Sequence, residues 1–229
     1  MVKVLAFNCS PKMERSNTSL ILDPFLEGMR EGGAEVELLY TMKLKINPCR
    51  GEFDCWEKDM GKCFQKDDMN GLYPKLAEAD VWVFATPVYV DGISGPMKNL
   101  FDRLIPLIKG RIAIRDGHCR HPRRDGSGGG KVVLVSNCGF YEMDNFDPLI
   151  VHLKAACKNF DREFAGALLR PYGWALTYKL KEGKGVDIVD AAKLAGTELA
   201  RDGRMKKGTM SAVSRHFMSL EEYLKWVDS

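Results

Sequence analysis

Short apolar runs alternate along the chain with longer stretches in which apolar residues recur every three or four positions. This is the pattern of parallel strands joined by amphipathic helices. Apolar segments at 2–7 (VKVLAF), 36–40, 81–86 (VWVFAT), 131–136 (KVVLVS) and 165–169 predict five strands. Helical spacing predicts helices over 18–31, 72–78, 95–107, 147–160 and 187–201. In the first of these Leu20, Ile21, Phe25, Leu26 and Met29 share a face, and Gly32 and Gly33 stop it. Pro74 falls inside an expected helix over 69–78, where its missing N–H predicts a late start or a kink. The alternation predicts an α/β fold with helices on both faces of a parallel sheet, joined by right-handed crossovers.

Three regions break this rhythm. Residues 42–67 are too many for a tight connection and hold Cys49, Cys55 and Cys63. Residues 109–130 carry Arg111, Arg115, His118, Arg120, His121, Arg123 and Arg124, and then the glycine-rich run 126–130. That stretch reads as a flexible basic loop. Its glycines precede a strand instead of following one, so they read as a hinge and not as a nucleotide motif. Beyond Gly203, Ser219 to Glu222 reads as a capping box opening a terminal helix. The expected organisation is one domain over 1–203, with insertions at 42–67 and 109–130, followed by a C-terminal helical extension over 204–229.

Composition narrows the classes. At 229 residues, 45% hydrophobic and 28% charged, the chain is of ordinary globular type. A chain of this length buries roughly 70% of its unfolded surface, so it needs neither disulfides nor a structural metal. Net charge is only +3, which gives no reason to expect nucleic acid or an acidic membrane as partner. Since no apolar run reaches the length of a membrane span and the first run is too short for a signal peptide, a cytoplasmic location is expected. The seven cysteines, Cys9, Cys49, Cys55, Cys63, Cys119, Cys138 and Cys157, cannot pair completely within one chain. A reducing compartment disfavours a disulfide framework, which leaves metal binding, redox chemistry and packing.

Ligands of open parallel sheets lie beyond the carboxyl ends of the strands. The loop after the first strand offers Ser10, Pro11, Ser16, Asn17, Thr18 and Ser19 immediately before a helix, where the dipole is positive. It has neither a Rossmann glycine pattern nor a P-loop Lys, so it suits a phosphate monoester that is bound and left intact. Equally, Ser16 or Asn17 could be no more than a helix cap. After the third strand, Pro87, Val88 and Tyr89 supply an extended backbone and an aromatic wall suited to the edge of a flat heterocycle. After the fourth, Asn137, Cys138 and Gly139 allow close backbone approach, with Phe140 or Tyr141 against a ring.

These residues, in this order, resemble the flavodoxin-like NADPH-dependent FMN reductase family, in the branch related to iron-sulfur flavoproteins. The resemblance rests on Ser10-Pro11, Asn17-Thr18-Ser19, Asp67-Asp68-Met69, the loop 85–89 and the run 96–103, and it extends over about 2–169. It implies a flavodoxin-like three-layer sandwich with a five-stranded parallel sheet in the order 2-1-3-4-5. It also implies FMN, with Ser10, Asn17, Thr18 and Ser19 at the phosphate, Pro87 to Tyr89 along the isoalloxazine and Asn137 to Gly139 near its pyrimidine side. NAD(P)H would deliver a hydride to flavin N5, and electrons would pass to a quinone, flavin or other small acceptor. No side chain of this set need act as a catalytic acid or base, and a homodimer or homotetramer is expected.

The cysteine segment departs from that branch. Its members with a four-iron cluster resemble C-x2-C-x2-C with a fourth Cys further on, whereas here Glu52 stands between Cys49 and Cys55 and Cys63 follows. Three thiolates and a carboxylate are an unusual ligand set, so a 4Fe-4S cluster is not expected, and the spacing does not match a paired C-x2-C zinc site either. His118 and His121 sit among arginines that would repel a cation, while those arginines could meet the phosphates of NAD(P)H or remain solvated. Two alternatives stay open: an iron-sulfur flavoprotein exchanging electrons with a ferredoxin-like partner, and a non-enzymatic flavodoxin-fold module for binding or thiol redox sensing.

Overall fold

A computed structural model of the chain describes residues 1–58, 61–125 and 129–228. Along it run β1 (Lys3–Asn8), α1 (Ser19–Glu31), β2 (Glu35–Tyr40), α2 (Asp54–Glu57), α3 (Met69–Glu78), β3 (Val81–Tyr89), β4 (Gly92–Ile93), α4 (Gly95–Asp102), β5 (Ala113–Arg115), β6 (His118–Arg120), β7 (Lys131–Asn137), α5 (Asp147–Phe160), β8 (Glu163–Arg170), α6 (Gly173–Lys181), α7 (Val186–Asp202), α8 (Lys207–Ser214) and α9 (Leu220–Val227). The main sheet has the order β2-β1-β3-β7-β8, all parallel, which is the expected 2-1-3-4-5 arrangement of the five crossover strands.

Alternation within the strands sorts the core into two layers. Val4, Ala6, Val83 and Val133 face α1 and α7, where Ile21, Phe25, Met29, Ile188 and Leu199 cover them. Leu5, Phe7, Trp82 and Phe84 face the other way, under Met69, Leu72, Met97, Phe101 and Leu149 from α3, α4 and α5. The strands thus present small side chains to one layer and large ones to the other. On the small side α1 and α7 meet backbone to backbone: a Cβ on Gly28 would lie 1.8 Å from Lys193 O, and one on Gly196 would lie 2.0 Å from Phe25 O. Only glycine fits at either position.

Several local expectations change. The basic stretch is not simply a flexible loop, because Ala113 to Arg115 pairs antiparallel with His118 to Arg120 as a hairpin. Within the glycine run, residues 126–128 lie outside the described residues, so the hinge reading cannot be placed. The helix around Pro74 begins at Met69 and continues past the proline. Pro74 and the Asn70 whose carbonyl it leaves without its usual helical donor are both exposed, so water can replace that hydrogen bond. The helix expected over 95–107 ends at Asp102, and a separate 3-10 turn over Ile105–Leu107 follows. Helices α6 and α8 had no periodicity strong enough to announce them. The capping box forms as read, with Ser219 Oγ accepting from Glu222 N–H and Glu222 accepting from Ser219 N–H.

Candidate functional site

The crossovers step to one side of β1 to reach β2 and to the other side to reach β3, so the sheet's switch point lies between β1 and β3, beside the loops that follow those strands. A transverse chain of buried hydroxyls ties them. Ser136 Oγ donates to Thr86 O at 2.7 Å, Thr86 Oγ1 and Ser94 Oγ lie 3.1 Å apart, and Ser94 Oγ donates to Cys9 O at 2.8 Å. Thr18 Oγ1 donates to Asn137 Oδ1 at 2.5 Å, and Thr177 Oγ1 to Asn17 Oδ1 at 3.0 Å, so the first loop is also joined to the third and to α6. Thr86, Ser94, Ser136 and Thr177 were not singled out from sequence. The usable signal was a polar residue at the carboxyl end of an otherwise apolar strand, as at Thr86 and Ser136.

The first loop divides its polar groups between two tasks. Ser16 Oγ accepts from Ser19 N–H at 3.1 Å, and Ser19 Oγ donates to Met13 O at 2.9 Å and accepts from Asn8 Nδ2 at 2.9 Å. Those two serines are buried and build the loop. Asn8 Oδ1 takes the Ser10 N–H at 3.0 Å, which brings Ser10 round at the strand end with Pro11 exposed beyond it. Among the described residues, the N–H groups of Asn17, Thr18 and Leu20 have no acceptor. They open α1, where the helix dipole adds positive potential. The donor chemistry here fits a phosphate group.

After β3 the backbone stays extended through Pro87, Val88 and Tyr89 and returns as β4. The two turn residues, Val90 and Asp91, both have positive φ, 48° and 55°. A two-residue hairpin turn of this hand favours Asn and Gly, so a β-branched residue here is strained. Pro87 is buried opposite Asn137 in the sheet, while Tyr89 is 49% exposed at the lip. The third loop places Asn137 and Cys138 under cover and Gly139 and Phe140 at the surface. Cys9 and Cys138 are packed small side chains, their thiols pushed up chiefly by burial.

At the end of β8, Tyr172 is fully buried with φ of 37°, strain of about 1–3 kcal/mol for a residue that is not glycine. Its hydroxyl accepts from Phe217 N–H at 3.0 Å and faces His216 Nδ1 at 3.1 Å. Burial, and then the Arg170 charge, lower the His216 pKa. Arg170 itself is buried and pushed down to about 10 by burial, and it donates to Val213 O and Arg215 O at the end of α8. The C-terminal extension is thereby fastened beside the third loop.

The cysteine segment is organised differently. Asp67 and Arg103 form a bidentate ion pair, at 2.6 and 3.0 Å, with both side chains at most 1% exposed. Trp56 Nε1 donates to Ile105 O and Ile108 O, and its ring lies tilted against His121 with centroids 4.6 Å apart. Arg124 donates to Cys55 O at 2.8 Å and to Pro106 O at 2.6 Å. Cys55 is buried, Cys63 half-buried and Cys49 exposed; burial first, then the neighbouring Cys63, Glu52 and Cys49, push the Cys55 thiol up to about 11. Among the described residues no group of three His, Cys, Asp or Glu is arranged to hold a metal ion. With Glu52 in place of a thiol, the donor set does not fit a four-thiolate cluster. Arg115 and Arg123 both pair with Asp161 at the end of α5, and His121 Nδ1 meets Lys109 O, so part of the basic stretch is spent on fastening itself to the fold.

A doubly wound parallel sheet in the order β2-β1-β3-β7-β8 defines a flavodoxin-like α/β protein. The sequence profile of the NADPH-dependent FMN reductase family matches residues 2–117, and the chain belongs to that family. It is 33% identical over 138 residues to an iron-sulfur flavoprotein of Archaeoglobus fulgidus, a match covering 60% of this chain and 56% of that protein. It is 37% identical over 106 residues to an iron-sulfur flavoprotein of Methanocaldococcus jannaschii, covering 46% and 53%. The chain spans about half the length of these relatives. Among solved structures, an azoreductase from Bacillus anthracis superposes with a TM-score of 0.60 at 16% identity, covering 88% of this chain and 100% of that one. An NAD(P)H:quinone oxidoreductase from Methanothermobacter marburgensis does so with 0.55 at 16% identity, covering 88% and 96%. At these identities the superpositions establish the fold. Among the described residues no helix is long and apolar enough to cross a membrane.

Proposed function

We propose that the protein is an FMN-dependent NAD(P)H oxidoreductase that serves a small-molecule acceptor such as a quinone or a free flavin. The observation that carries this reading is the group of acceptor-free N–H donors at Asn17, Thr18 and Leu20, set at the switch point of a flavodoxin-like sheet. These donors and the Ser10 hydroxyl hold the phosphate, while Ser16 and Ser19 keep the loop in shape and Pro11 directs it away from β1. Pro87, Val88 and Tyr89 line the isoalloxazine edge, and Asn137, Cys138 and Gly139 bound its pyrimidine side. When bound, FMN supplies the redox chemistry, taking a hydride at N5 and returning electrons to the acceptor. The chain's own residues bind and orient: the exposed lip at Tyr89 and Phe140 leaves room for a nicotinamide or a quinone to stack. That same exposed apolar lip suits burial in a homodimer or homotetramer.

The test is to add FMN to purified protein and follow binding by the flavin absorption spectrum, then NADPH and NADH oxidation with a quinone. Stoichiometric FMN and turnover support the reading; failure to bind FMN overturns it.

A second reading, an iron-sulfur flavoprotein passing electrons to a ferredoxin-like partner, is favoured by the relatives' names. Iron and acid-labile sulfide in anaerobically purified protein decide it. Stoichiometric iron supports this second reading, and its absence leaves the flavin enzyme.

A further inference from the structure

Three successive carbonyls of the third loop are engaged from one side. Cys138 O accepts from Gly173 N–H at 3.0 Å and Phe140 O from Tyr172 N–H at 2.8 Å. Between them, Gly139 O accepts two donors, Trp174 Nε1 at 3.2 Å and the Tyr223 hydroxyl at 3.1 Å. The chain has no cis peptide bond among the described residues, and in a trans peptide the C=O and the following N–H point in opposite directions. Gly139, Phe140 and Tyr141 therefore turn their N–H groups away from α6 and α9. Among the described residues none of the three has an acceptor. They form a row of donors on the side of the loop away from the tethers.

We infer that Trp174 and Tyr223 are positioning residues that set this row of N–H groups against the pyrimidine edge of the bound flavin. The inference rests on the FMN reading above and assigns a role to the C-terminal helix. Tyr223 is brought to Gly139 by the docking of α9, whose own start is fixed by the Ser219 capping box and by Tyr141 Oη donating to Met218 O at 3.1 Å. Rings of Tyr141, Tyr172, Trp174, His216, Tyr223 and Trp226 pack around that junction, with centroid separations from 4.1 Å (Tyr141 to His216) to 6.3 Å (Trp174 to Tyr223). All of these side chains lie beyond the family match at 2–117, so the device belongs to the part of the chain that the match leaves unexplained. Negative charge gathers at the pyrimidine edge when flavin is reduced, and preset N–H groups favour the reduced form over the oxidised one. Neither Trp174 nor Tyr223 hydrogen-bonds to Asn17, Thr18 or Leu20, so the phosphate donors are not among the groups that these tethers hold.

The experiment compares wild type with Tyr223→Phe, Trp174→Phe and the double variant, using FMN as the probe. Binding is read by quenching of FMN fluorescence, the midpoint potential by reductive titration against a reference dye, and folding by circular dichroism. Each single variant keeps one donor on Gly139 O and is expected to lose about threefold in the preference for reduced over oxidised FMN. The double variant is expected to lose about tenfold, equivalent to a potential about 30 mV lower, with affinity for oxidised FMN nearly unchanged. If wild type binds FMN and the folded double variant keeps the wild-type potential, the positioning role is overturned while the FMN reading stands. If wild type binds no FMN, both fall. Should the double variant not fold, Tyr223→Phe, which removes a single oxygen, decides the matter: a lower potential supports the role and an unchanged one overturns it.

Discussion

The crevice and the cysteine segment both rise from the carboxyl edge of the same sheet, yet they direct their hydrogen bonds oppositely. In the cysteine segment the donors point inward: Arg103 to Asp67, Trp56 to Ile105 and Ile108, Gln65 to Pro48, and Arg124 to Cys55. In the crevice, carbonyls and hydroxyls are engaged from behind, and N–H groups at Asn17, Thr18 and Leu20 face outward without acceptors among the described residues. An inward set makes a scaffold, its donors spent on the protein's own carbonyls and carboxylates, with Arg103 Nε alone of these left buried without a partner among the described residues. An outward set is one that a ligand completes.

The contrast can be broken most forcefully at its scaffold end. Asp67→Ala leaves the Arg103 charge buried without its partner and is expected to cost about 3–5 kcal/mol of stability, read from the denaturant midpoint. An unchanged midpoint would show that the pair does not hold the segment. Burial pushes the Asp67 carboxyl up, but hydrogen bonds from Arg103 and from the Asn47 and Met69 N–H groups more than offset it and hold the pKa below the ordinary range. A carboxyl lowered in the folded state contributes stability above its unfolded pKa, near 4, and loses it as pH falls through the folded value. Wild type should therefore weaken below about pH 4 more steeply than Asp67→Ala. Parallel acid profiles would contradict this.

At the crevice the expected effect falls on binding. Asn17→Asp keeps the oxygen that accepts from Thr177 and so keeps the loop, but it sets a carboxylate against a phosphate dianion. FMN affinity should fall at least tenfold, about 1.4 kcal/mol or more, with the thermal midpoint nearly unchanged. Equal affinity would mean that the outward N–H groups are not the phosphate site.

A smaller effect is expected at the strained turn on the crevice lip. Replacing Val90-Asp91 by Asn-Gly, residues at ease with positive φ, should raise stability by about 1 kcal/mol. A fall in stability in the melting curve would mean that Val90 is held by something other than the turn. Smallest of all, Lys98→Ala removes an exposed i,i+4 ion pair with Asp102 and should change stability by less than about 0.5 kcal/mol, with no dependence on bound FMN. A larger loss, or one that FMN alters, would extend the crevice's influence along α4.

Much of the fold was legible because the physical signals were local. Residues 81–86 and 131–136 are apolar on both faces, which only a strand covered by two helical layers can satisfy. Ser219 and Glu222 stand at capping-box spacing, and the box formed. The basic hairpin was missed because Ala113 to Arg115 and His118 to Arg120 are each only three residues long, too short for an alternation to show, and Arg115 is held by Asp161, far away in sequence. Ser16 and Ser19 were legible as loop residues, but no spacing tells that their hydroxyls turn inward while the neighbouring N–H groups turn outward.

The sequence by itself determined the strand order's ingredients, the position of the crevice loops and the substitution of Glu52 for a thiol, because each depends on residue type at short range. Tertiary structure alone decided that Asp67 reaches Arg103, that Thr18 reaches Asn137, and that Trp174 and Tyr223 converge on one carbonyl at Gly139. Those contacts join residues 35 or more positions apart, and the direction of a hydrogen bond across such a gap is set by how the layers pack, which no local pattern records.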